Sequence, residues 1–279
     1  MKQSDDFIVC RDFIHAFVKE RLEGNIQELI NFDFSSLRGD SRYGCNGRSF
    51  DCDDTNQMRG ISFLLWGESF PDLTLYEIGP GKKYRGDTLN TFNRVFGKFV
   101  AEQNTWGGVI KSNASDNLRE SVKKFHTSYH LIGNYILLPN VAESNKKRAF
   151  TLNTYRGTAY KDYFDLFLIQ LANCLTSCNG DRRLTNLIER NDFFFSWLKA
   201  NGGLSYFKDL CWLDDYFLQS VPEKLFSPYA FCLRKQQEWT AAEKADYTKY
   251  IESYMIKSTT IIHNRSNKMV KRLSEVCRA

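Results

Sequence analysis

Two short polar segments of the chain share an unusual set of residue types. Residues 84–93 read Tyr-Arg-Gly-Asp-Thr-Leu-Asn-Thr-Phe-Asn, and residues 151–158 read Thr-Leu-Asn-Thr-Tyr-Arg-Gly-Thr. Each contains Tyr-Arg-Gly, and each contains Thr-Leu-Asn-Thr followed by an aromatic residue. Guanidinium groups bind phosphate oxygens through paired hydrogen bonds, and amides or hydroxyls can bind ribose and base edges. If the two segments meet in the folded chain, they predict a site for a nucleotide-like ligand.

The residues that would carry this chemistry divide by role. Arg85 and Arg156 would bind phosphates, and Asp87 would act as the catalytic carboxylate. The predicted cofactor-binding residues are Tyr84, Thr88, Asn90, Asn134, Asn153 and Tyr155. The structural alternative is that Asn and Thr side chains cap helices while Arg side chains bind carboxylates that fix loops.

An acidic cluster precedes the first polar segment. Asp51, Asp53 and Asp54 are three carboxylates within four residues and could bind a divalent cation. They lack the glycine and the distal glutamate of a calcium loop, and Asp54 or Thr55 could instead cap a following helix. His126 and His130 stand one helical turn apart, and helix packing explains them better than zinc binding because no third ligand lies close in sequence.

Composition fits one globular domain, or one domain with a helical extension. The 279 residues are 42% hydrophobic and 25% charged, and their 22 Phe and 14 Tyr predict a core rich in ring contacts. The net charge of +5 suits a nucleotide or nucleic-acid partner without requiring one. No secretory signal or membrane-spanning stretch is visible, and the eight cysteines form no zinc-binding spacing. We therefore expect a cytoplasmic protein with reduced thiols and no membrane partner.

The apolar periodicity predicts an α+β fold. Residues 1–159 should form a mixed α/β part with a small sheet and the polar segments, and residues 160–279 a mostly helical part, joined in one globular unit. Strands are predicted at 132–140, at 70–78 and, as a short one, at 32–34. The predicted helices are 5–31 with a break at Gly24, 57–66, one beginning at Thr88 or Asn90, 115–130, 161–176, one each within 183–200 and 204–219, and a long one within 235–275.

The order of these motifs resembles a large family of uncharacterised bacterial proteins, a domain of unknown function scattered among mobile and defence-associated genes. The likeness runs from about Phe32 to the C-terminal helix. The segments that carry it are Asp51-x-Asp53-x-x-Asn56, the Tyr-Arg-Gly-Asp-Thr-Leu-Asn-Thr-Phe run, His130-x-Ile132-Gly133-Asn134-Tyr135, Leu138-Pro139-Asn140, Asn153-x-Tyr155-Arg156-Gly157 and Asp162-Tyr163-Phe164-Asp165. The resemblance implies a cytoplasmic effector or toxin of a conflict system, with a possible antitoxin or chaperone partner, and it implies no established chemistry.

The two Tyr-Arg-Gly elements also resemble part of the ADP-ribosyltransferase fold. In that fold, an aromatic-Arg-Gly or aromatic-His-Gly at a strand end, followed by a hydroxyl residue, binds NAD. Tyr84-Arg85-Gly86 and Tyr155-Arg156-Gly157 both match that element. The chain departs from the family pattern because it contains no Glu-x-Glu or Ser-Thr-Ser motif to complete the site.

These observations lead to three hypotheses about function. The first is a toxin-like enzyme of a toxin-antitoxin or antiphage system that transfers ADP-ribose from NAD to nucleic acid or a host protein. The second is a nuclease that uses the Asp51/Asp53 cluster, with or without a metal ion. The third is a non-catalytic module that binds nucleic acid or protein. The sequence contains no Walker loop, dinucleotide glycine fingerprint or His-Glu-x-x-His, which argues against those classes of enzyme.

Overall fold

The computed structural model describes residues 5–43, 52–91, 115–143, 150–160, 162–177, 180–226, 240, 242 and 247–278. Their helices are α1 (Asp5–Arg21), α2 (Asn56–Trp66), α3 (Asp116–Ser128), α4 (Leu152–Ala159), α5 (Phe164–Thr176), α6 (Arg182–Arg190), α7 (Asp192–Ala200), α8 (Gly203–Leu210) and α9 (Tyr247–Arg278). Their strands are β1 (Tyr84–Thr88), β2 (Tyr135–Pro139), β3 (Phe217–Leu218) and β4 (Val221–Pro222). The predicted α+β class is confirmed.

The sheet that carries the first polar segment is a single antiparallel pair. Tyr84 of β1 lies opposite Pro139 of β2, and Thr88 lies opposite Tyr135. All five residues of β2 are buried, as expected for a continuous apolar run covered on both faces. The predicted strand at 132–140 is thus confirmed over its second half, while Ile132–Asn134 form a 3₁₀ turn.

Helix α9 joins the later part of the chain to the earlier part. It packs against α3, α2 and the 3₁₀ turns Ile26–Ile30 and Ile132–Asn134. At the closest approach, the backbone N–H of Gly133 donates to Ser266 Oγ at 3.0 Å. The buried apolar residues form one cluster that includes side chains from both sides of residue 160.

Aromatic rings fill the space between β1 and the helices α7 and α8. Tyr84 contacts Phe193 and Phe194 edge-on, with ring centroids 5.7 and 6.2 Å apart. Phe70 lies 5.6 Å from Tyr84 and 5.2 Å from Phe194. The Phe70–Tyr84 pair is tilted, whereas the other three are edge-to-face, and edge-to-face pairs contribute about 0.5–1.5 kcal/mol each beyond their burial. The ring-rich core predicted from composition is therefore the surface on which β1 rests.

The sequence predicted some local turns and helix caps correctly and others wrongly. The helix break at Gly24, which has φ +80°, and the cap of α2 by Thr55 are confirmed. The predicted strand at 70–78 is wrong, because Asp72 adopts φ +53° after Pro71 and the following Leu75–Glu77 form a 3₁₀ turn. The predicted strand at 32–34 is also wrong.

The segment around Phe34 is helical because of a side-chain cap. The Asp33 carboxylate accepts from the backbone N–H of Ser35 at 2.8 Å, which starts the 3₁₀ turn Phe34–Leu37. The helix predicted to begin at Thr88 or Asn90 falls largely on residues outside the described part of the chain. Thr88 itself is the last residue of β1.

A half-buried histidine after α3, His130, makes stability depend on pH. Burial, reinforced by the positive charge of Arg38, lowers the pKa of His130 from 6.5 to about 4, and its Nδ1 lies 3.3 Å from the Tyr135 hydroxyl. Below pH 6.5 the unfolded chain takes up a proton that the folded chain does not. The free energy of unfolding should therefore fall as pH drops from 6.5 towards 4, by up to about 3 kcal/mol from this residue.

Urea unfolding at pH 7, 5.5 and 4.5 checks this prediction. The variant His130→Gln should show a shallower loss of stability over that range than the wild type. His15→Gln, at an exposed position of α1, is the matched control and should follow the wild-type curve. Parallel curves for wild type and His130→Gln would contradict the assignment.

Candidate functional site

The two Tyr-Arg-Gly segments meet in the folded chain. Arg156 of α4 donates from Nε to the Asp87 Oδ2 of β1 at 2.9 Å, and its Nη2 donates to the same oxygen. Nη2 also donates to the Thr88 carbonyl at 2.9 Å. Asn153 Nδ2 donates to the Gly86 carbonyl at 3.4 Å. The two segments, about 70 positions apart in sequence, therefore form one group of polar side chains, the charged cluster.

Helix α4 brings its two polar side chains to the sheet through a simple local arrangement. The Thr151 hydroxyl accepts from the backbone N–H of Thr154 at 3.2 Å and so caps the helix. Asn153 and Arg156 are three residues apart and lie on the same helical face. The second Tyr-Arg-Gly is therefore part of a helix, whereas the first forms the start of a strand.

The acidic 3₁₀ turn Cys52–Asp54 forms another wall of the cluster. Arg85 Nη2 donates to Asp54 Oδ2 at 2.9 Å. A Cβ atom added to Gly86 would lie 2.8 Å from the Asp53 Cβ, closer than real Cβ atoms approach. Glycine is thus required at this position so that the acidic turn can reach β1. Asp51 falls outside the described residues.

The charges of the cluster are paired but unequally exposed. The Arg156 side chain is 3% exposed and its partner Asp87 is 22% exposed. The Arg85 side chain is 35% exposed, whereas its partner Asp54 is 6% exposed. Arg85 is therefore the more exposed arginine of the cluster and the one that a ligand can reach. The guanidinium of Arg156 is buried and binds the Asp87 carboxylate.

Two buried polar atoms of the cluster, Arg156 Nη1 and Asn153 Oδ1, lack a hydrogen-bond partner among the described residues. Both amide atoms of Gln57, a fully buried residue in the first turn of α2, lack one as well. Buried polar atoms are almost always hydrogen-bonded in folded proteins, so the unmatched atoms of Asn153 and Arg156, which lie on one face of α4, are groups that a ligand could bind.

Gln57 was not singled out from the sequence. Its signal is a polar side chain in the first turn of a helix whose other inward positions, apart from Ser62, are apolar, one turn after Asp53 and Asp54. Such a residue is usually interpreted as solvated at the helix start, and only burial distinguishes the two cases.

The two tyrosines of the motif lie in the core. Tyr84 is fully buried, its hydroxyl donates to the Pro71 carbonyl at 2.8 Å, and burial raises its pKa. Tyr155 is 3% exposed and its hydroxyl lies 3.1 Å from that of Tyr160; burial also raises its pKa. Neither ring offers surface to a ligand, and both instead fix the backbone beside Arg85 and Arg156.

The predicted asparagines form a separate buried pair at the end of β1. Asn134 Oδ1 accepts from the Asn90 N–H at 2.9 Å, and Asn134 Nδ2 donates to the Asn90 carbonyl at 2.9 Å. Asn90 Oδ1 accepts from the Tyr216 hydroxyl at 2.9 Å. Thr88 remains half-buried at the strand end, where its N–H donates to Asp87 Oδ1 at 2.9 Å. The Asn90–Asn134 pair holds the residues that follow β1 against the turn before β2, and it is distinct from the charged cluster.

A metal centre finds no support among the described residues, where no group of three His, Cys, Asp or Glu side chains is placed to hold an ion. His126 is exposed on α3, while the neighbouring His130 faces Tyr135. None of the helices in the described ranges is both long enough and apolar enough to cross a bilayer.

Fold and site together define a mostly helical α+β protein with a charge-paired polar cluster on a small antiparallel sheet. The chain belongs to a family of unknown function, DUF6994, whose model matches residues 30–269. This confirms the resemblance to an uncharacterised domain family. No curated protein and no solved structure matches the chain.

The Arg156–Asp87 pair should contribute to stability as well as to the site. Arg156→Ala would leave the Asp87 carboxylate without its guanidinium and the Thr88 carbonyl without its donor. Because Asp87 is partly solvated, we expect a loss of about 2 kcal/mol rather than the larger cost of breaking a fully buried pair. Chemical denaturation measures it, with Arg42→Ala, in an exposed pair with Asp40, as the control. Equal stability of the two variants would show that the Arg156–Asp87 pair contributes no more to stability than an exposed pair does.

Proposed function

We propose that the protein binds a nucleotide at the cluster of Arg85, Asp87 and Arg156, and that it transfers ADP-ribose from NAD. The observation that carries the proposal is the meeting of the two Tyr-Arg-Gly segments. It combines an arginine that is 35% exposed, a carboxylate held in a fixed orientation and the unmatched amide oxygen of Asn153 in one place. These are the groups needed to bind diphosphate and ribose and to stabilise positive charge on a sugar.

Each residue has a distinct role in this proposal. Arg85 binds the diphosphate oxygens, because its guanidinium is the more exposed of the two. Asp87 faces the ribose and stabilises the oxocarbenium-like charge at C1′ as the bond to nicotinamide breaks, the electron pair leaving with nicotinamide. The nucleophile of the acceptor then bonds to C1′ and its proton passes to Asp87. Arg156 is the positioning residue for Asp87, while Thr88 and Asn153 contact the ribose.

The biological setting of the proposal rests on the family resemblance. It is a toxin-like effector in the cytoplasm, part of a toxin-antitoxin or antiphage system, with nucleic acid or a host protein as acceptor. A neutralising antitoxin or chaperone would be its partner. The net charge of +5 is compatible with a nucleic-acid acceptor.

Isothermal titration with NAD, combined with chromatographic detection of released nicotinamide, tests the proposal. Arg85→Gln keeps a donor near Asp54 but removes the charge, so NAD should bind at least about 10-fold more weakly. Because Asp54 is only 6% exposed, the variant should also lose about 1–3 kcal/mol of stability, and circular dichroism checks that it remains folded. Arg42→Gln is the matched control at an exposed, carboxylate-paired arginine and should bind NAD like the wild type. Saturable binding that Arg85→Gln leaves unchanged would refute the site.

The nuclease hypothesis remains the second candidate because Asp53 and Asp54 lie in the same cluster, beside Gly86 and Arg85. It predicts no NAD binding but manganese-dependent cleavage of RNA or DNA, abolished by Asp53→Asn. A non-catalytic module would instead bind nucleic acid in a salt-dependent manner, or bind a protein, without turnover.

A further inference from the structure

A separate cavity lies between α1, α2 and the 3₁₀ turn Leu75–Glu77. It has a volume of about 180 Å³ and shares no residue with the charged cluster. Its wall is formed by Val9, Cys10, Phe13, Asn56, Arg59, Gly60 and Leu75. An apolar cavity of about 150 Å³ is large enough to hold benzene, so this one has room for a ring or a short aliphatic chain.

The wall of the cavity is mainly apolar. Val9 and Phe13 supply hydrocarbon surface from α1, and burial raises the pKa of the Cys10 thiol to about 12, so that it is neutral and behaves as a small apolar group. Gly60 has no side chain, so the space beside it stays open. A Cβ added there would meet the nearest atoms of Ile14 and Phe13 at 3.8 and 3.9 Å, which is ordinary contact and not a clash.

Arg59 is the one positively charged residue in this mainly apolar wall. Arg59 Nη2 donates to the Leu75 carbonyl at 3.1 Å, which fixes the guanidinium beside the cavity. No carboxylate of the described residues forms an ion pair with Arg59, and its buried Nε has no acceptor among them. The nearby acid Asp6 instead accepts from the backbone N–H of Leu75 at 3.3 Å. A half-buried guanidinium that lacks a counter-ion favours an anion.

We propose that this cavity binds a small organic monoanion, a carboxylate with an apolar body of about the size of benzoate. The carboxylate contacts the guanidinium of Arg59, and the apolar body lies against Phe13, Val9 and the open face of Gly60. Charge complementarity sets the orientation of the ligand, and the volume of the cavity sets its size. The proposal is independent of the NAD site, because the two share no side chain.

Titration calorimetry with benzoate, benzyl alcohol and acetate tests the proposal on the full chain. Benzoate should bind saturably, and both benzyl alcohol, which lacks the charge, and acetate, which lacks the body, should bind at least about 10-fold more weakly. Arg59→Met retains the length of the side chain and should weaken benzoate binding by a similar factor. Arg182→Met, at an exposed position of α6, is the matched control and should change nothing.

A second variant protects the test against misfolding of Arg59→Met. Val9 is 58% exposed at the mouth of the cavity, so Val9→Trp should fold normally and block entry of benzoate. NAD binding should be unaffected by Val9→Trp, which separates failure of this proposal from failure of the proposed function. Either no saturable benzoate binding by the wild type, or binding that survives both Arg59→Met and Val9→Trp, would overturn the proposal.

Discussion

Replacing Gly133 by alanine should lower the free energy of unfolding by at least about 4 kcal/mol and, at the extreme, prevent folding. A Cβ at this position would lie 2.5 Å from the backbone nitrogen of Ser266 and closer still to the carbonyl oxygen of Ile262. Both atoms belong to the backbone of α9, which cannot move aside as a flexible side chain would. The whole helix would have to retreat from the turn before β2.

The consequence of that retreat extends beyond one contact. The Gly133 N–H would lose the Ser266 hydroxyl, and α9 would lose its packing against the turn Ile132–Asn134 and α3. Since single domains are stable by only about 5–15 kcal/mol, a loss of this size is a large fraction of the total. Position 133 requires glycine because no other residue allows two backbones to approach so closely.

Urea denaturation followed by circular dichroism measures the effect. Gly60→Ala is the matched control, because a methyl group at Gly60 meets its nearest neighbour at 3.8 Å and replaces a glycine inside α2. That variant should be as stable as the wild type or more stable by up to about 1 kcal/mol. If Gly133→Ala unfolds within about 1 kcal/mol of the wild type, the close packing of α9 on this turn is not present in solution.

Replacing Arg265 by methionine should cost about 3–5 kcal/mol. The Arg265 side chain is fully buried in α9, and burial lowers its pKa to about 10, so it stays protonated at neutral pH. Its five N–H groups serve backbone carbonyls alone: Cys211 at 3.0 and 3.2 Å, Tyr135 at 3.1 Å, and Gly133. Among the described residues no carboxylate forms an ion pair with it.

The expected cost follows from what methionine would leave behind. Three buried carbonyl oxygens would lose their donors, at about 1–3 kcal/mol each, and relief from burying an unpaired cation would return part of that sum. Arg265→Lys should be nearly as damaging, since one ammonium group cannot reach three separated carbonyls. Arg272→Met, an exposed arginine on the same helix, is the control and should stay within about 0.5 kcal/mol of the wild type. Equal stability of the two methionine variants would show that the carbonyls find other partners.

Local sequence signals predicted the local features of this fold well. The cap at Thr55, the break at Gly24 and the apolar run of β2 each depend on neighbours within about one turn, and each is confirmed. In the later part of the chain, α5 and α8 agree closely with the predicted helices, but the single helix predicted within 183–200 is two helices, α6 and α7, and the mostly helical part also contains strands β3 and β4. The strand predicted at 70–78 was wrong because alternation does not reveal that Asp72 takes a left-handed conformation.

The candidate site depended on contacts that the sequence could not specify. Repetition of Tyr-Arg-Gly predicted that Arg85 and Arg156 belong together, but not that Arg156 would bind Asp87 and leave Arg85 as the exposed cation. Burial decides that difference, and burial results from the packing of distant elements. For the same reason, Tyr84 and Tyr155 looked like ligand-binding rings although they support the backbone from the core.

The position of Arg265 has a consequence for synthesis of the protein on the ribosome. The carbonyls of Gly133 and Tyr135 are made about 130 residues before the side chain that satisfies them. Until that side chain emerges, these two carbonyls lack the donors that it supplies, and the turn before β2 lacks the helix that packs against it. The turn that leads into β2 is therefore buried only late in translation, and a growing chain is expected to remain open to chaperones until α9 has been made.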